Sequence, residues 1–397
     1  MKNNLYHQNI YLDGSATSPP RKEVIQRINE IDINYWANPS SLHSYGIKAA
    51  EILERSRKSI GQSLGAECNE IFFTSGATES IHLAIQGAAK KIKPGRIVIS
   101  NVEHPSVQSA AKMLIKEGWQ IEYWPVDLYG QVQMSRLDDL LSYPTKIVSI
   151  VWGQSEVGSI QPIEDIGREC KTRGIIFHTD ATQILSQFKF QWNALPVDLL
   201  SASSHKFCGP KGVGFLLVKA DTYKSFTPLY GGGGQENGLR SGTQPVSLIA
   251  GMALAIELLN SPLIDNDSPL NCLGEYKKVE EYTFRLRNRL KNFDNLEFTG
   301  HPKLRLANHI SMLVGNKNNE PLSGRTIVRE LSKNGIYASS ETACKSGIIS
   351  YSETLKAMGI PLDWCKSGLR FSLGPWLSDG DIESVPDILQ ECITSLN

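Results

Sequence analysis

The chain contains no Cys-x-x-Cys pair, no long run of like charge, and no apolar stretch near the roughly 20 residues that span a bilayer. Its seven cysteines, at positions 68, 170, 208, 272, 344, 365 and 392, are odd in number and scattered. That excludes a disulfide scaffold or a cysteine-built zinc site, and no metal is expected. Lysine plus arginine equal aspartate plus glutamate at 41 each, so nucleic acid and membrane surfaces are disfavoured as partners. The polar first ten residues carry no targeting pattern, and a cytoplasmic location is expected.

What is present fits an ordinary globular protein, 41% hydrophobic and 21% charged. A length of 397 residues exceeds what one core usually supports, so a second, smaller domain is expected. From about residue 70 to 220, short β-branched runs alternate with amphipathic stretches. Strands are expected at 71–73, 96–100, 121–124, 146–151, 174–178, 197–201 and 214–218. Their near-continuous apolar character points to an α/β fold with a mostly parallel seven-stranded sheet covered on both faces. A helix is expected at 246–259 after the glycine run at 231–234. Beyond 261 the rhythm changes to that of a smaller α+β unit, with a charged helix at 273–290, strands near 309–314, 335–339 and 368–373, and a closing helix at 379–395. The expected division is 15–260 for the large domain and 1–14 with 261–397 for the small one.

Ligands in such sheets sit beyond the carboxyl ends of the strands, and polar residues gather there. The run Thr74-Ser75-Gly76-Ala77-Thr78-Glu79-Ser80 places free N–H groups and hydroxyls at a helix start. It reads equally as a phosphate seat or as a well-capped helix. Asp180 follows an apolar run, where a carboxylate needs a partner such as a protonated pyridine nitrogen; capping the next helix is the plainer alternative. Lys206 follows Ser203-Ser204-His205 and precedes the turn Gly209-Pro210-Lys211-Gly212. A lysine there can be desolvated into an imine-forming amine, or can stand as a solvated loop residue.

These residues, together with Tyr11 to Thr17, Asn38-Pro39-Ser40-Ser41, Glu103-His104, Leu239 to Thr243, Ser339 to Cys344 and Leu369 to Gly374, fall in an order that resembles the cysteine desulfurases. These are pyridoxal-phosphate enzymes of the class V aminotransferase type, and the match to the nitrogen-fixation and iron–sulfur-assembly branch covers nearly the whole chain. The resemblance implies a fold type I transferase, a homodimer, and pyridoxal 5′-phosphate held by Lys206 as a Schiff base. It further implies that Asp180 meets the pyridine nitrogen, Gln183 the ring hydroxyl, and His104 the ring face, where it can also move protons. Ala77, Thr78, Ser203 and His205 would hold the phosphate, with Thr243 supplied by the second subunit. Arg370, with Asn38 and Ser155, would bind the substrate; without the resemblance Arg370 reads as a buried structural ion pair.

Cys344 lies in the small, polar run Ser340 to Gly347, beside Lys345, which favours a thiolate; the other six cysteines read as small buried groups. The implied reaction takes sulfur from L-cysteine, gives L-alanine and leaves a persulfide on Cys344 for an acceptor protein. A C–S lyase working by β-elimination and a selenocysteine lyase are the alternatives on this fold, and a non-catalytic sulfur-carrier platform is a distant third. Three features depart from the family. Ser155 replaces an asparagine, with Gln154 as a candidate substitute; Gly231 and Gln235 replace histidines, and Glu341 replaces a glycine near Cys344. The chain also ends at Asn397, without the C-terminal extension by which many assembly-type members dock a scaffold.

Overall fold

The computed structural model describes residues 9–223, 226–259, 274–340 and 351–396. Among them are twelve strands: β1 (Ile10–Tyr11), β2 (Ile71–Thr74), β3 (Arg96–Ser100), β4 (Gln120–Trp124), β5 (Thr145–Val151), β6 (Ile176–Asp180), β7 (Leu199–Ser203), β8 (Gly214–Val218), β9 (Leu296–Phe298), β10 (His309–Val314), β11 (Ile336–Tyr337) and β12 (Gly368–Ser372). Seven of them form one sheet in the order β2-β8-β7-β6-β5-β3-β4. Only β8 runs against its neighbours, pairing antiparallel with both β2 and β7.

The apolar runs of this sheet have partners on both faces. Successive residues divide between two packed clusters. Ile97 and Ile99 lie in one and Val98 in the other, and in β8 Leu216 and Val218 oppose Phe215 and Leu217. A period-two alternation with both faces apolar produces the unbroken hydrophobic runs seen in the sequence. Parallel neighbours require crossover connections; helices Pro105–Leu114 and Ile163–Thr172 provide those from β3 to β4 and from β5 to β6, while Ala77–Ala89 leads from β2 across the sheet to β3.

The rest of the chain forms a three-stranded antiparallel sheet in the order β12-β10-β9 and a parallel pair, β1 with β11. The first residues therefore join the last third of the chain, and Asp13 bridges to Ser372 beside them. Helices Gly274–Leu290 and Asp379–Ser395 pack on each other.

Two strands lie two residues later than the sequence predicts, at 176–180 and 199–203 instead of 174–178 and 197–201. Asp180 and Ser203 thus end their strands; they do not follow them. The backbone of Asp180 pairs with Val151 and Ser201 on either side while its carboxylate turns to Thr182 N at 3.0 Å, so a polar residue completes the ladder. Cys68 is also exposed, contrary to expectation, whereas Cys170, Cys208, Cys365 and Cys392 are buried. Cys272 and Cys344 lie outside the described residues. No helix among the described residues is long and apolar enough to cross a membrane.

The site edge of the sheet is braced from behind by a buried ion pair. Arg57 donates to both oxygens of Glu236 at 2.8 and 2.9 Å, and Glu236 also accepts from Phe73 N in β2 at 2.9 Å. Removing Glu236 takes two hydrogen bonds from Arg57, whose remaining partners are Glu54 at 3.2 Å and the Ile71 carbonyl at 2.8 Å. Glu236→Ala is expected to lower stability by about 1–3 kcal/mol, measurable by urea unfolding.

Candidate active site

A cavity of about 750 Å³ opens at the carboxyl ends of β5, β6 and β7. Its walls gather residues from positions 15 to 370, including Ala77, Thr78, His104, Ser155, Asp180, Gln183, Ser203, His205, Lys206 and Arg370. Ten of the residues singled out in the sequence therefore meet in one place.

At one end, helix Ala77–Ala89 begins behind Gly76, whose φ of +151° belongs to glycine. Gly76 supplies no side-chain cap. The residues of this first turn, whose N–H groups lack intrahelical partners, line the cavity. Beside them stand Thr78, Ser203 and His205. Burial, helped by Lys206 and Lys211, pushes His205 down to about 4, so the ring is neutral at pH 7; its Nδ1 lies 3.2 Å from Thr17 Oγ1. Ser75 N is occupied by the Glu79 carboxylate, which Arg240 and Tyr230 hold down to about 2 against its burial. Neutral donors at a helix N-terminus form an anion seat.

At the floor, Asp180 is 5% exposed, takes a hydrogen bond from Thr182 N, and forms no ion pair among the described residues. Lys206 and His104 both feel its charge. Lys206 lies on the next strand connection. Its Nζ donates to the carbonyls of Ser15 at 2.6 Å and Ala16 at 2.7 Å. Burial and the Arg370 charge push it down to about 8, against the pull of Asp180 and Asp13. Gln183 donates to Ser15 O at 2.9 Å, so the chain segment after β1 positions both side chains.

His104 caps the helix Pro105–Leu114. Its Nδ1 accepts from Ser106 N at 3.2 Å, which leaves the proton of the neutral ring on Nε2. Burial, with the Lys206 charge, lowers its pKa. The preceding Glu103 is fully buried and pushed up to about 8, so it is protonated at neutral pH; it accepts from Ser100 Oγ at 2.5 Å and Val151 N at 2.8 Å, tying β3 to β5 behind His104. Opposite, Arg370 of β12 donates to Asp13 at 2.7 Å and to Ser155 O at 3.0 Å. The ion-pair reading of Arg370 and its place at the cavity both hold.

Other candidates lie elsewhere. Asn38 is exposed and its carboxamide accepts from Ser40 N at 2.9 Å, closing its own turn away from the cavity. Thr243 is exposed and lines no part of this chain's cavity. Gln154 does not substitute for the missing asparagine. It is 3% exposed and committed to Thr354, Glu156 N and Val157 N. Gln235 accepts from Gly242 N at 3.0 Å. Cys344, Glu341 and Lys345 lie outside the described residues, and no described cysteine lines the cavity. Among the described residues no cluster of metal-ligating side chains occurs. Residue pattern alone assigns no role to Asp13, Ser15, Ala16 or Thr17, although the polar run after β1 is visible in the sequence.

The description "Aminotransferase class-V" fits residues 10–385. A protein of Methanosarcina thermophila named cysteine desulfurase IscS is 35% identical over 98% of this chain and 92% of its own. The chain belongs to the cysteine desulfurase family. Among solved structures, a NifS-like protein superposes with a TM-score of 0.86 at 32% identity, covering 98% of this chain and 99% of its own. The structure titled SspA in complex with cysteine, 28% identical, superposes at 0.79 over 93% of this chain and all of its own. The mixed sheet with one antiparallel strand is therefore that of a class V, fold type I enzyme.

Proposed function

We propose that this family member is a cysteine desulfurase that removes sulfur from L-cysteine, releases L-alanine and carries the sulfur as a persulfide on Cys344. The observation carrying this reading is the buried Asp180 in the same cavity as Lys206 and an uncapped helix N-terminus. These three features fit the ring nitrogen, aldehyde and phosphate of pyridoxal 5′-phosphate. Asp180 would hold the ring nitrogen protonated, Gln183 the ring hydroxyl, and Ala77, Thr78, Ser203 and His205 the phosphate. Bound there, the cofactor supplies an electron sink that makes the substrate Cα proton removable.

The protein's own groups do the rest. Arg370, fixed by Asp13 and the Ser155 carbonyl, offers its remaining donor face to the substrate carboxylate. Lys206, lowered to about 8, serves as the amine that takes the Cα proton, and His104, in the same cavity wall with its Nδ1 occupied by Ser106 N, keeps Nε2–H free to move a proton. The Cys344 thiolate forms a bond to the substrate sulfur as the carbon–sulfur bond breaks; the electron pair stays on Cβ, which collects a proton. Ser340, which follows the Ser339 that pairs with Arg370, is four residues from Cys344, a contour of at most about 14 Å. Because Ser155 offers a hydroxyl where the family has an amide, we assign it the weaker share of substrate binding. The sulfur then passes to an acceptor protein.

Exposure supports a homodimer. Ile33, Trp36, Leu42 and Ile47 are 50–93% exposed within one stretch of chain, and a second copy would cover such a surface while its Thr243 completes the phosphate seat. We assign cofactor seating to a large domain at 15–260 and substrate closure to a smaller one built from 1–14 and 261–397.

Product analysis tests the reading. Alanine in proportion to cysteine consumed is expected; pyruvate and ammonia would indicate β-elimination. The lowered Lys206 pKa adds a pH dependence. The neutral amine is the reactive form, so covalent attachment of the cofactor to apoprotein should accelerate as pH rises and level off above about 8, followed by visible absorbance.

A further inference from the structure

The segment 341–350, which contains Cys344, is flanked by Ser340 and Tyr351. Before it, Ser339 and Arg370 exchange backbone hydrogen bonds of 2.8 and 3.2 Å. After it, Ser352 N donates to Cys365 O at 3.1 Å, and the side chains that hold the flank centre on Glu156. Its Oε2 accepts from Ser352 Oγ at 2.6 Å and its Oε1 from Thr354 Oγ1 at 3.0 Å. Ser352 Oγ also accepts from Leu355 N, capping the short helix Glu353–Ala357, and Thr354 Oγ1 accepts from Gln154 Nε2 at 3.2 Å. Between Gln154 and Glu156 lies Ser155, whose carbonyl takes Arg370 at 3.0 Å and His309 at 3.1 Å. Both flanks of 341–350 are therefore fastened to Arg370 or to the loop that holds it.

We propose that Glu156 is a positioning residue for sulfur transfer, fixing the C-terminal flank of the Cys344 segment to the loop that orients Arg370. The inference rests on the desulfurase reading above. Arg370 would fix the substrate carboxylate, and the thiol must meet the sulfur of the same bound molecule. A common frame for both reduces the misplacement that otherwise costs rate. Burying a carboxyl is costly, and Glu156 is pushed up by burial against the pull of the two hydroxyls and Arg370. An apolar contact would hold two chain segments together at lower cost but would not fix their register. Two hydroxyls from alternate residues, each on its own carboxylate oxygen, do fix it.

The test separates binding from transfer in the holoenzyme. In Glu156→Ala, cofactor absorbance and the spectral change on adding L-cysteine should occur at wild-type concentrations, while alanine release and persulfide formation slow by about 10- to 100-fold. Glu156→Gln, whose amide can accept from Ser352 and donate to Thr354, should recover most of the rate. Should Glu156→Ala not fold, Ser352→Ala combined with Thr354→Val removes the same contacts from the other side and should show the same split. Wild-type alanine release in Glu156→Ala or in the combined Ser352→Ala and Thr354→Val variant, or a loss that follows weakened cysteine binding, would overturn the inference. Failure of the wild-type enzyme to form a persulfide would instead overturn the desulfurase reading.

Discussion

Lys206→Ala is expected to lower alanine release from L-cysteine by about 10³-fold or more, while the variant still binds the cofactor without a covalent bond. The size follows from two losses at once. In the proposed reaction Lys206 is both the amine that would join the cofactor aldehyde and the base that would take the Cα proton, and the other described lysine that lines the cavity, Lys211, is exposed. Retained binding follows because the phosphate seat, Asp180 and Gln183 are separate from it. Borohydride treatment should trap cofactor on the wild-type protein and not on the variant. A small amine added to the solution should restore part of the rate, since the cavity left by the side chain admits it. Turnover within tenfold of wild type would remove Lys206 from the chemistry.

Cys344→Ala should abolish alanine release, again by about 10³-fold or more, with cofactor absorbance and the spectral response to L-cysteine unchanged. The contrast with Lys206→Ala is informative, because one variant loses the chemistry at Cα and the other only the acceptor of sulfur. The described cysteines provide no substitute. Cys170 is pushed up to about 12 by burial, Cys208 and Cys392 are raised by the same cause, and none lines the cavity. A C–S lyase would not need this thiol, so continued consumption of cysteine with pyruvate as product would favour that reaction.

The large sheet is legible in the sequence because both of its faces are apolar, which leaves long unbroken runs whose ends are marked by Gly, Ser, Asp and His. Strand limits at β6 and β7 are less legible, since Asp180 and Ser203 pair through backbone while their side chains serve the cavity. Lys206, Asp180 and the Gly76 helix start stand out as polar residues after apolar runs, yet each has a plain structural alternative. What favours the functional reading is their meeting in one cavity, which is a fact of contact. Asp13 and Ser15 are illegible as partners of Arg370 and Lys206, because the partners lie 357 and 191 residues apart in the chain. Gln154 shows the reverse case. Its residue type suits the cavity, but its neighbours Glu156 and Thr354 turn it away.

The most direct measurement is a single addition of L-cysteine to the holoenzyme without reductant, followed by mass analysis of the peptide containing Cys344 and quantification of released alanine and pyruvate. The account predicts an additional sulfur atom on Cys344 for each alanine released, and no pyruvate. Pyruvate and ammonia in place of alanine, with Cys344 unmodified, would contradict it.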